Sequence, residues 1–230
     1  MRRWFSASSV RDNICVADNV RMNIVFGANT DVGKTIVSAG LVRSALAGSN
    51  GSVHYIKPLQ SGGSDEDFVR HHTQDTTGRF QGDTLFRWQT PASPHTVSVL
   101  EDLPASDREV LAAVRSKLAA ISNAGTGGPS TTIVETAGGV LTPAASSPSN
   151  TAPSHSTTAK EWGWKTQADL YQPILGAAPV VLVGDGRLGG ISATLSSLES
   201  LLLRGYDVAG LILLENGYDN LNALREYASR

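Results

Sequence analysis

Short, near-continuous runs of apolar residues recur along the chain, and segments with a helical spacing of apolar positions lie between them. Runs of this kind are typical of strands that are buried on both faces, as in a parallel sheet. The pattern predicts five such strands, at residues 22–26, 53–57, 131–135, 179–183 and 208–214. Because helical segments alternate with the strands, we predict an α/β fold, a doubly wound and mainly parallel sheet with helices on both faces.

Three segments have the apolar spacing of helices that pack one face against a sheet. The first follows the strand at 22–26 and includes residues 36–43. The second begins at residues 106–109, whose Ser-x-x-Glu spacing is that of a capping box. Its predicted buried face comprises Val110, Leu111, Val114, Leu118 and Ile121. The third begins near Gly190 and ends at Arg204–Gly205. Its predicted apolar stripe comprises Ile191, Leu195, Leu198 and Leu202.

Two segments lack any apolar period. Residues 125–129 contain Gly and Pro and predict a turn before a strand. Residues 141–160 are rich in Pro, Ser, Ala and Thr, which predicts a mobile, low-complexity surface insertion in a domain that covers residues 21–230. That domain finishes with one short amphipathic stretch, 220–227. Since a fold of this class normally continues with another strand and helix, we expect a domain that is shortened at its C-terminal end.

The composition is that of a globular protein. The chain of 230 residues is long enough for one domain with a well-buried core. Its formal net charge of −2 gives no electrostatic reason to expect a nucleic-acid or membrane-surface partner. No apolar run approaches the roughly 20 residues that cross a bilayer. The single cysteine, Cys15, excludes an intrachain disulfide and a cysteine-based metal cluster, and it fits a reducing compartment.

The first residues differ from the rest in composition. Residues 1–11 contain three arginines and three serines, and the first acidic residue is Asp12. This composition resembles a mitochondrial transit segment. We therefore predict an N-terminal extension over residues 1–20 and a mitochondrial location, with a cytoplasmic protein as the alternative.

The strongest chemical signal is the segment Gly27-Ala-Asn-Thr-Asp-Val-Gly-Lys-Thr35. A strand, a glycine-bounded loop and a Lys-Thr pair that opens a helix together form the arrangement that cradles a nucleotide polyphosphate. In it, Lys34 can reach the outer phosphates and the hydroxyl of Thr35 can coordinate Mg²⁺. Five residues separate the two glycines, where the common loop has four, so the motif is a variant. The predicted fold is accordingly of the P-loop NTPase type.

Polar residues also follow the later strands, where ligands bind in such folds. Lys57, before a Pro-Leu-Gln-Ser-Gly turn, is either a second cation for an anionic substrate or a surface lysine. The acidic segment 64–67 either holds Mg²⁺ or is the N-terminus of a helix. Glu135, before Thr-Ala-Gly-Gly, is a candidate metal ligand. The irregular loop with His95 and the adjacent pair His71–His72 receive no role.

Taken in order along the chain, five of these segments resemble the motifs of dethiobiotin synthetases: 27–35, 57–62, 93–95, 135–139 and 188–192. The resemblance extends from about residue 22 to the end of the sequence. Three stretches resemble most closely the synthetase portion of eukaryotic enzymes that join this activity to a diaminopelargonate aminotransferase: 135–140, 167–171 and 182–192. No part of the aminotransferase half is recognisable.

The resemblance implies a ligase of biotin biosynthesis. Members of the family carry out the ATP-dependent carboxylation and ring closure of 7,8-diaminononanoate with CO₂, and they release dethiobiotin, ADP and phosphate. One amine captures CO₂ as a carbamate, the carbamate oxygen attacks the γ-phosphate, and the second amine closes the ureido ring. The family uses Mg²⁺, with ATP as a substrate, and works as a homodimer.

The resemblance also implies roles for individual residues of this sequence. The implied catalytic residues are Thr30, Lys34, Lys57 and Ser61. The implied nucleotide-binding residues are Asn29, Thr30, Asp31, Val32, Gly33, Lys34 and Thr35. The implied substrate-binding residues are Lys57, Ser61, Gly190, Ile191 and Ser192, the last three at a helix start that binds the distal carboxylate across the homodimer interface. The implied Mg²⁺ ligands are Thr35, Asp65 and Glu135.

Two other functions stay open. A shortened, non-catalytic synthetase-like domain is one, because the expected final strand and helix are missing. A P-loop regulatory ATPase is the other, because the phosphate loop is a variant. Against the regulatory ATPase, the sequence contains no Asn-Lys-x-Asp guanine signature, and segments 57–62 and 135–139 fit a small-molecule site better.

Overall fold

The computed structural model of the chain describes residues 20–124, 129–145, 165–176, 178–214 and 216–228. Within these ranges the strands are β1 (Val20–Gly27), β2 (Val53–Ser61), β3 (Phe80–Trp88), β4 (Ser130–Glu135), β5 (Val180–Gly184) and β6 (Val208–Leu213). They form one sheet in the order β3-β2-β4-β1-β5-β6, and every neighbouring pair is parallel. The predicted α/β class with a parallel sheet is confirmed.

The helices in the described ranges are α1 (Lys34–Gly48), α2 (Asp65–Thr73), α3 (Pro94–Leu100), α4 (Asp107–Asn123), α5 (Gln167–Leu175), α6 (Gly190–Leu203) and α7 (Asn220–Ala228). They cover both faces of the sheet, because successive side chains of a strand point to opposite faces. In β1, Ile24 and Phe26 belong to one buried cluster with α4 and α5, whereas Val25 belongs to a second cluster with α1 and α2. None of these helices is long and apolar enough to cross a membrane.

The capping box at the start of α4 is confirmed. The hydroxyl of Ser106 accepts a hydrogen bond from the backbone N–H of Glu109, whose carboxylate accepts one from the backbone N–H of Ser106. A cap of this kind stabilises a helix by about 1 kcal/mol. The buried face of α4 comprises Val110, Val114, Leu118 and Ile121, as the spacing predicts.

Four elements do not follow from the apolar pattern. Among the strands that the structure describes, β3 lies at the edge of the sheet and pairs only with β2; most of its residues are half-buried, and polar residues interrupt the apolar run. Helix α5 contains Pro173, and α3 is short. The predicted irregular loop over residues 90–95 is confirmed for 90–93 and wrong for its last two residues, because α3 begins at Pro94, a residue that favours the first helical position. Of the two interpretations of segment 64–67, the helix start is observed: Ser64 caps α2.

The predicted apolar stripe of α6 is wrong for Leu202, which is 53% exposed. The buried face instead comprises Gly190, Thr194, Ser197 and Leu201. The hydroxyl of Thr194 accepts a hydrogen bond from the backbone N–H of Asp185, and that of Ser197 donates to the carbonyl of Ala28. The inner face of α6 is polar because it bonds to the loops that follow β5 and β1.

Three predictions fall partly or wholly on residues outside the described ranges. They are the extension over 1–20 with Cys15, the turn at 125–129, and most of the insertion over 141–160. In the described start of that insertion, residues 141–145, the chain passes from an exposed Leu141 into the core. Ala144 and Ala145 are fully buried, and Pro143 forms an isolated bridge with Thr166.

Candidate active site

The phosphate loop joins β1 to α1 and has a fixed backbone shape. Gly33 precedes α1 with a φ of 92°, and Asp31 adopts a left-handed φ of 57° although it has a side chain. A β-carbon at Gly33 would lie 2.3 Å from the Cδ1 atom of Leu214. Only glycine therefore combines this φ with the close approach of Leu214.

Lys34 is the first residue of α1 and lies over the loop. Its side chain passes so close to Gly27 that a β-carbon there would be 2.9 Å from Cδ of Lys34. Its Nζ donates a hydrogen bond of 3.2 Å to the carbonyl of Asn29. Burial, and then the nearby ammonium of Lys57, lower the pKa of Lys34 to about 8. Two cations thus converge on one site.

Lys57 lies in the middle of β2, one residue past the last pairing of that strand with β4. The predicted end of the strand at residue 57 is wrong, because β2 continues through Ser61, where the sequence predicts a turn. Lys57 is buried, so it is not the surface lysine that the sequence left open. Its Nζ lies 2.6 Å from Oδ2 of Asp65, 2.9 Å from Oε1 of Glu135 and 3.2 Å from the carbonyl oxygen of Thr136. Burial alone would lower the pKa of Lys57, but the two carboxylates outweigh it and raise that pKa. Lys57 is therefore a charged ammonium with three acceptors.

Glu135 is the last residue of β4 and is fully buried. Besides Lys57, the hydroxyl of Thr35 donates to its Oε1 over 3.0 Å, and the hydroxyl of Tyr55 donates to its Oε2 over 3.0 Å. Burial, followed by the charge of Glu135, raises the pKa of Tyr55 well above its ordinary value, so the phenol keeps its proton. Sequence reasoning missed Tyr55, although the two-residue period of a strand places it on the same face as Lys57.

Asp65 reaches the site from the first turn of α2. Burial alone would raise its pKa, but the charge and hydrogen bond of Lys57 lower it. Gln60, which sequence reasoning also missed, ties the loop after β2 to this helix. Its Nε2 donates to the carbonyl of Gly62 over 2.6 Å, and its Oε1 accepts from the backbone N–H of Asp65 over 3.4 Å. Gln60 therefore fixes the position of Asp65 relative to Lys57.

These side chains surround a cavity of about 570 Å³. The predicted site residues that line it are Thr30, Asp31, Gly33, Lys34, Thr35, Lys57, Ser61, Asp65 and Glu135. Other predicted residues do not line it. Val32 packs in the core beneath the loop, and Asn29 donates from its amide to Oδ2 of Asp185 over 3.3 Å. The helix start at 190–192 lies outside this cavity, with Gly190 packed against the carbonyl of Asp185.

The predicted metal ligands Thr35, Asp65 and Glu135 present one hydroxyl and two carboxylates to this cavity. Oxygen donors of this kind suit Mg²⁺, which proteins usually hold through one or two carboxylates together with phosphates of a substrate. The described residues include no cluster of three or more His, Cys, Asp or Glu side chains that would hold a metal by themselves. The donor set therefore fits a Mg²⁺ ion that is shared with a bound nucleotide.

The chain matches a family model described as an AAA domain over residues 21–156. It is 37% identical to the bifunctional dethiobiotin synthetase/7,8-diamino-pelargonic acid aminotransferase, mitochondrial, of Oryza sativa subsp. japonica, over 88% of this chain and 29% of that protein. It is 38% identical to the bifunctional dethiobiotin synthetase/adenosylmethionine-8-amino-7-oxononanoate aminotransferase of Emericella nidulans, over 87% of this chain and 22% of that protein. The chain thus spans less than a third of the length of these bifunctional relatives.

A shorter relative is matched over most of its length. The ATP-dependent dethiobiotin synthetase BioD of Parafrankia sp. (strain EAN1pec) is 32% identical, over 83% of this chain and 69% of that protein. Among solved structures, the kinase domain of Escherichia coli tyrosine kinase ETK aligns with a TM-score of 0.42 and 16% identity, over 86% of this chain and 68% of that one. The sequence matches, together with a phosphate loop set in a parallel sheet, establish that the chain belongs to the ATP-dependent dethiobiotin synthetase family.

Proposed function

We propose that this chain carries out the ATP-dependent carboxylation and ring closure of 7,8-diaminononanoate to dethiobiotin. The observation that carries the proposal is the buried ammonium of Lys57, which joins Asp65 and Glu135 beside Lys34 and the phosphate loop. A ligase that must hold both a carbamate and a transferring phosphoryl group requires cations placed beside both groups, and Lys34 and Lys57 meet that need.

The proposed reaction has three steps. One amine of the substrate adds to CO₂, which forms a carbamate and releases a proton. The carbamate oxygen then attacks the γ-phosphorus of ATP, and ADP leaves with the electron pair of the bridging P–O bond. The second amine attacks the carbonyl carbon of the mixed anhydride, phosphate leaves, and the loss of the amine proton completes the ureido ring.

Negative charge is present on the nucleotide and the carbamate throughout, so the main demand on the protein is for placed cations and hydrogen-bond donors. We assign Lys34 to the β- and γ-phosphates and Lys57 to the carbamate and the transferring phosphoryl group. Thr30 and Ser61, which line the same cavity, are assigned as hydrogen-bond donors to the carbamate and the diamine. Mg²⁺ held by Thr35, Asp65 and Glu135 would neutralise charge on the phosphates.

We assign the distal carboxylate of the substrate to the start of α6, at Gly190, Ile191 and Ser192. A helix N-terminus offers backbone N–H groups and a positive dipole end to an anion. Because these residues do not line the cavity of their own chain, the assignment requires a homodimer in which the partner's helix completes the site. Sedimentation equilibrium should then give a dimer, and a monomer with full activity would refute this assignment.

The test of the proposed function is phosphate release from ATP by the purified chain, with and without 7,8-diaminononanoate and bicarbonate. We expect release only when both are present, with dethiobiotin detected by mass spectrometry. Lys34→Ala, which removes the loop cation, should abolish release without changing the circular dichroism spectrum. Release without the diamine would instead identify a regulatory ATPase. No release, together with no thermal stabilisation by MgATP, would identify a non-catalytic domain.

We also propose a mitochondrial location. It is supported by the arginine- and serine-rich residues 1–11 and by the plant relatives from Oryza sativa and Arabidopsis thaliana, whose names include the word mitochondrial. A fluorescent protein fused after residue 20 should be imported into mitochondria, and replacement of the three arginines by glutamate should abolish the import. Diffuse fluorescence of the unaltered fusion would contradict the proposal.

A further inference from the structure

Two residues after β5 form a forked ion pair that lies outside the cavity. Asp185 is 4% exposed, whereas the side chain of Arg187 is 47% exposed. Both carboxylate oxygens of Asp185 bind the guanidinium of Arg187. Nε of Arg187 donates to Oδ1 over 2.9 Å and Nη2 donates to Oδ2 over 2.8 Å. The backbone N–H of Arg187 donates to the same Oδ1 over 3.0 Å. Parallel charge-assisted bonds of this kind fix orientation as well as distance.

The pair binds the phosphate loop directly. Nη2 of Arg187 donates to the carbonyl of Thr30 over 3.2 Å, and the side-chain amide of Asn29 donates to Oδ2 of Asp185 over 3.3 Å. Both contacts fall just before Asp31, the non-glycine residue with a left-handed φ of 57°. Aspartate tolerates this conformation better than most residues with a side chain, but the conformation is still less favourable for it than for glycine, so contacts that hold the neighbouring residues help to maintain it. The ion pair supplies that support from outside the loop.

The pair is itself anchored to the rest of the fold. The backbone N–H of Asp185 donates to the hydroxyl of Thr194 in α6 over 3.0 Å. The buried amide of Asn220, at the start of α7, donates to the carbonyls of Asp185 and Arg187 over 3.1 Å and 2.9 Å. A β-carbon at Gly190 would lie 1.9 Å from the carbonyl oxygen of Asp185, so the turn and α6 are in direct contact. The ion pair and the turn that carries it therefore connect two helices to the loop.

We propose that Asp185 and Arg187 are positioning residues that hold the phosphate loop in its nucleotide-binding conformation before the nucleotide arrives. Neither residue lines the cavity, so both act through Asn29 and Thr30. When only a fraction of the molecules has a competent loop, the apparent dissociation constant of the nucleotide rises by the inverse of that fraction. This inference rests on the nucleotide site of the proposed function but not on the ring-closing chemistry.

The test compares two arginine–aspartate pairs that involve α6. Arg187→Ala removes the pair at the start of the helix. Arg204→Ala removes a matched pair at its other end, where Nε of Arg204 lies 2.7 Å from Oδ1 of Asp169. Titration calorimetry with MgADP and with MgATP should show affinity weakened by about 10- to 100-fold for Arg187→Ala. Arg204→Ala should bind both nucleotides as the wild type does, although both variants melt at lower temperature.

Two further variants separate the forked geometry from charge alone. Arg187→Lys keeps the positive charge but cannot make two parallel bonds to Asp185 and also reach Thr30, so it should bind nucleotide almost as weakly as the alanine variant. Since the pair acts as a unit, the double variant Asp185→Asn/Arg187→Ala should bind no more weakly than Arg187→Ala. In the synthetase assay, the KM for ATP should rise in these variants while kcat at saturating ATP stays within about threefold.

Three results would overturn the inference. They are wild-type nucleotide affinity in Arg187→Ala, full rescue by Arg187→Lys, and an equal loss of affinity in Arg204→Ala, which would indicate a general effect of stability. If the unaltered chain makes no dethiobiotin, the proposed function fails. The comparison of nucleotide affinities still decides whether the pair positions the loop.

Discussion

Replacing Lys57 with methionine should destabilise the fold and abolish activity together. Methionine is similar in length to lysine but leaves the carboxylate of Glu135 buried without its cation. Breaking a buried ion pair by removing one partner typically costs about 3–5 kcal/mol of unfolding free energy. We expect a loss toward the lower end of that range for Lys57→Met, because Thr35 and Tyr55 still donate hydrogen bonds to Glu135. The Asp65 side chain is 28% exposed, so water can solvate its carboxylate in the variant.

The assay is urea unfolding at pH 7, with activity measured on the same samples. A matched control is Lys117→Met, which breaks a pair between Nζ of Lys117 and Oδ2 of Asp83 at 2.7 Å, with both side chains partly exposed. Pairs near the surface contribute about 1 kcal/mol or less, so the control should stay close to the wild type in stability and retain activity.

A second variant isolates the cause of the destabilisation. Lys57→Met/Glu135→Gln removes the fully buried carboxylate that Lys57→Met leaves without its cation, so it should be more stable than Lys57→Met alone while remaining inactive. If Lys57→Met unfolds at the wild-type urea concentration, or if the double variant is the less stable of the two, the argument from an uncompensated buried charge is wrong.

Three further predictions concern other parts of the site. Gly33→Ala places a β-carbon 2.3 Å from the side chain of Leu214 at a left-handed φ, so it should lower the free energy of unfolding by at least about 1–2 kcal/mol and abolish nucleotide binding. The control is Gly40→Ala, in open space on α1, which should leave the melting temperature unchanged or raise it. Tyr55→Phe removes a hydrogen-bond donor to the buried Glu135, so urea unfolding should show that the free energy of unfolding falls by about 1–3 kcal/mol. Activity should also require more Mg²⁺, and an unchanged Mg²⁺ dependence would contradict the idea that Tyr55 positions Glu135 for the metal. The hydrogen bonds from Arg187 lower the pKa of Asp185 to about 2, below its ordinary value of 3.8, so the charged carboxylate stabilises the fold above about pH 4 and this stabilisation is lost as the pH falls through 2. The difference in unfolding free energy between the wild type and Asp185→Asn should therefore be large at pH 7 and small in acid. A difference that does not change with pH would refute this prediction.

The parts of the fold that the sequence predicts are those with a local signal. The capping box at Ser106 lies within four residues, and the phosphate loop is a contiguous motif between a strand and a helix. The placement of Glu135 follows from a rule, since the carboxyl ends of parallel strands meet at one edge of a sheet. Its contact with Lys57, in the middle of β2, depends in addition on β2 and β4 being neighbours.

The parts that could not be predicted depend on contacts between distant segments. The hydroxyl of Ser197 bonds to a carbonyl 169 positions away, and Arg187 bonds to one that is 157 positions away. Apolar periodicity therefore predicts an inner face of Ile191, Leu195, Leu198 and Leu202 for α6, although Leu202 is exposed. Tyr55 shares the face of Lys57 and was within reach of strand periodicity, but nothing near it in the sequence indicates its bond to Glu135.

The strand order has a consequence for how the protein folds. Strand β1, which precedes the phosphate loop, pairs with β4 and β5, and the hydroxyl of Thr35 donates to Glu135, which lies 100 positions away in the chain. During synthesis on the ribosome, the apolar β1 must wait without a partner strand until β4 has emerged. Parallel pairings between distant segments form slowly, and unpaired strands in the meantime expose surface that chaperones bind and that aggregates. The ability to bind nucleotide should therefore appear late in folding, after β1 has paired with β4 and β5 at the centre of the sheet.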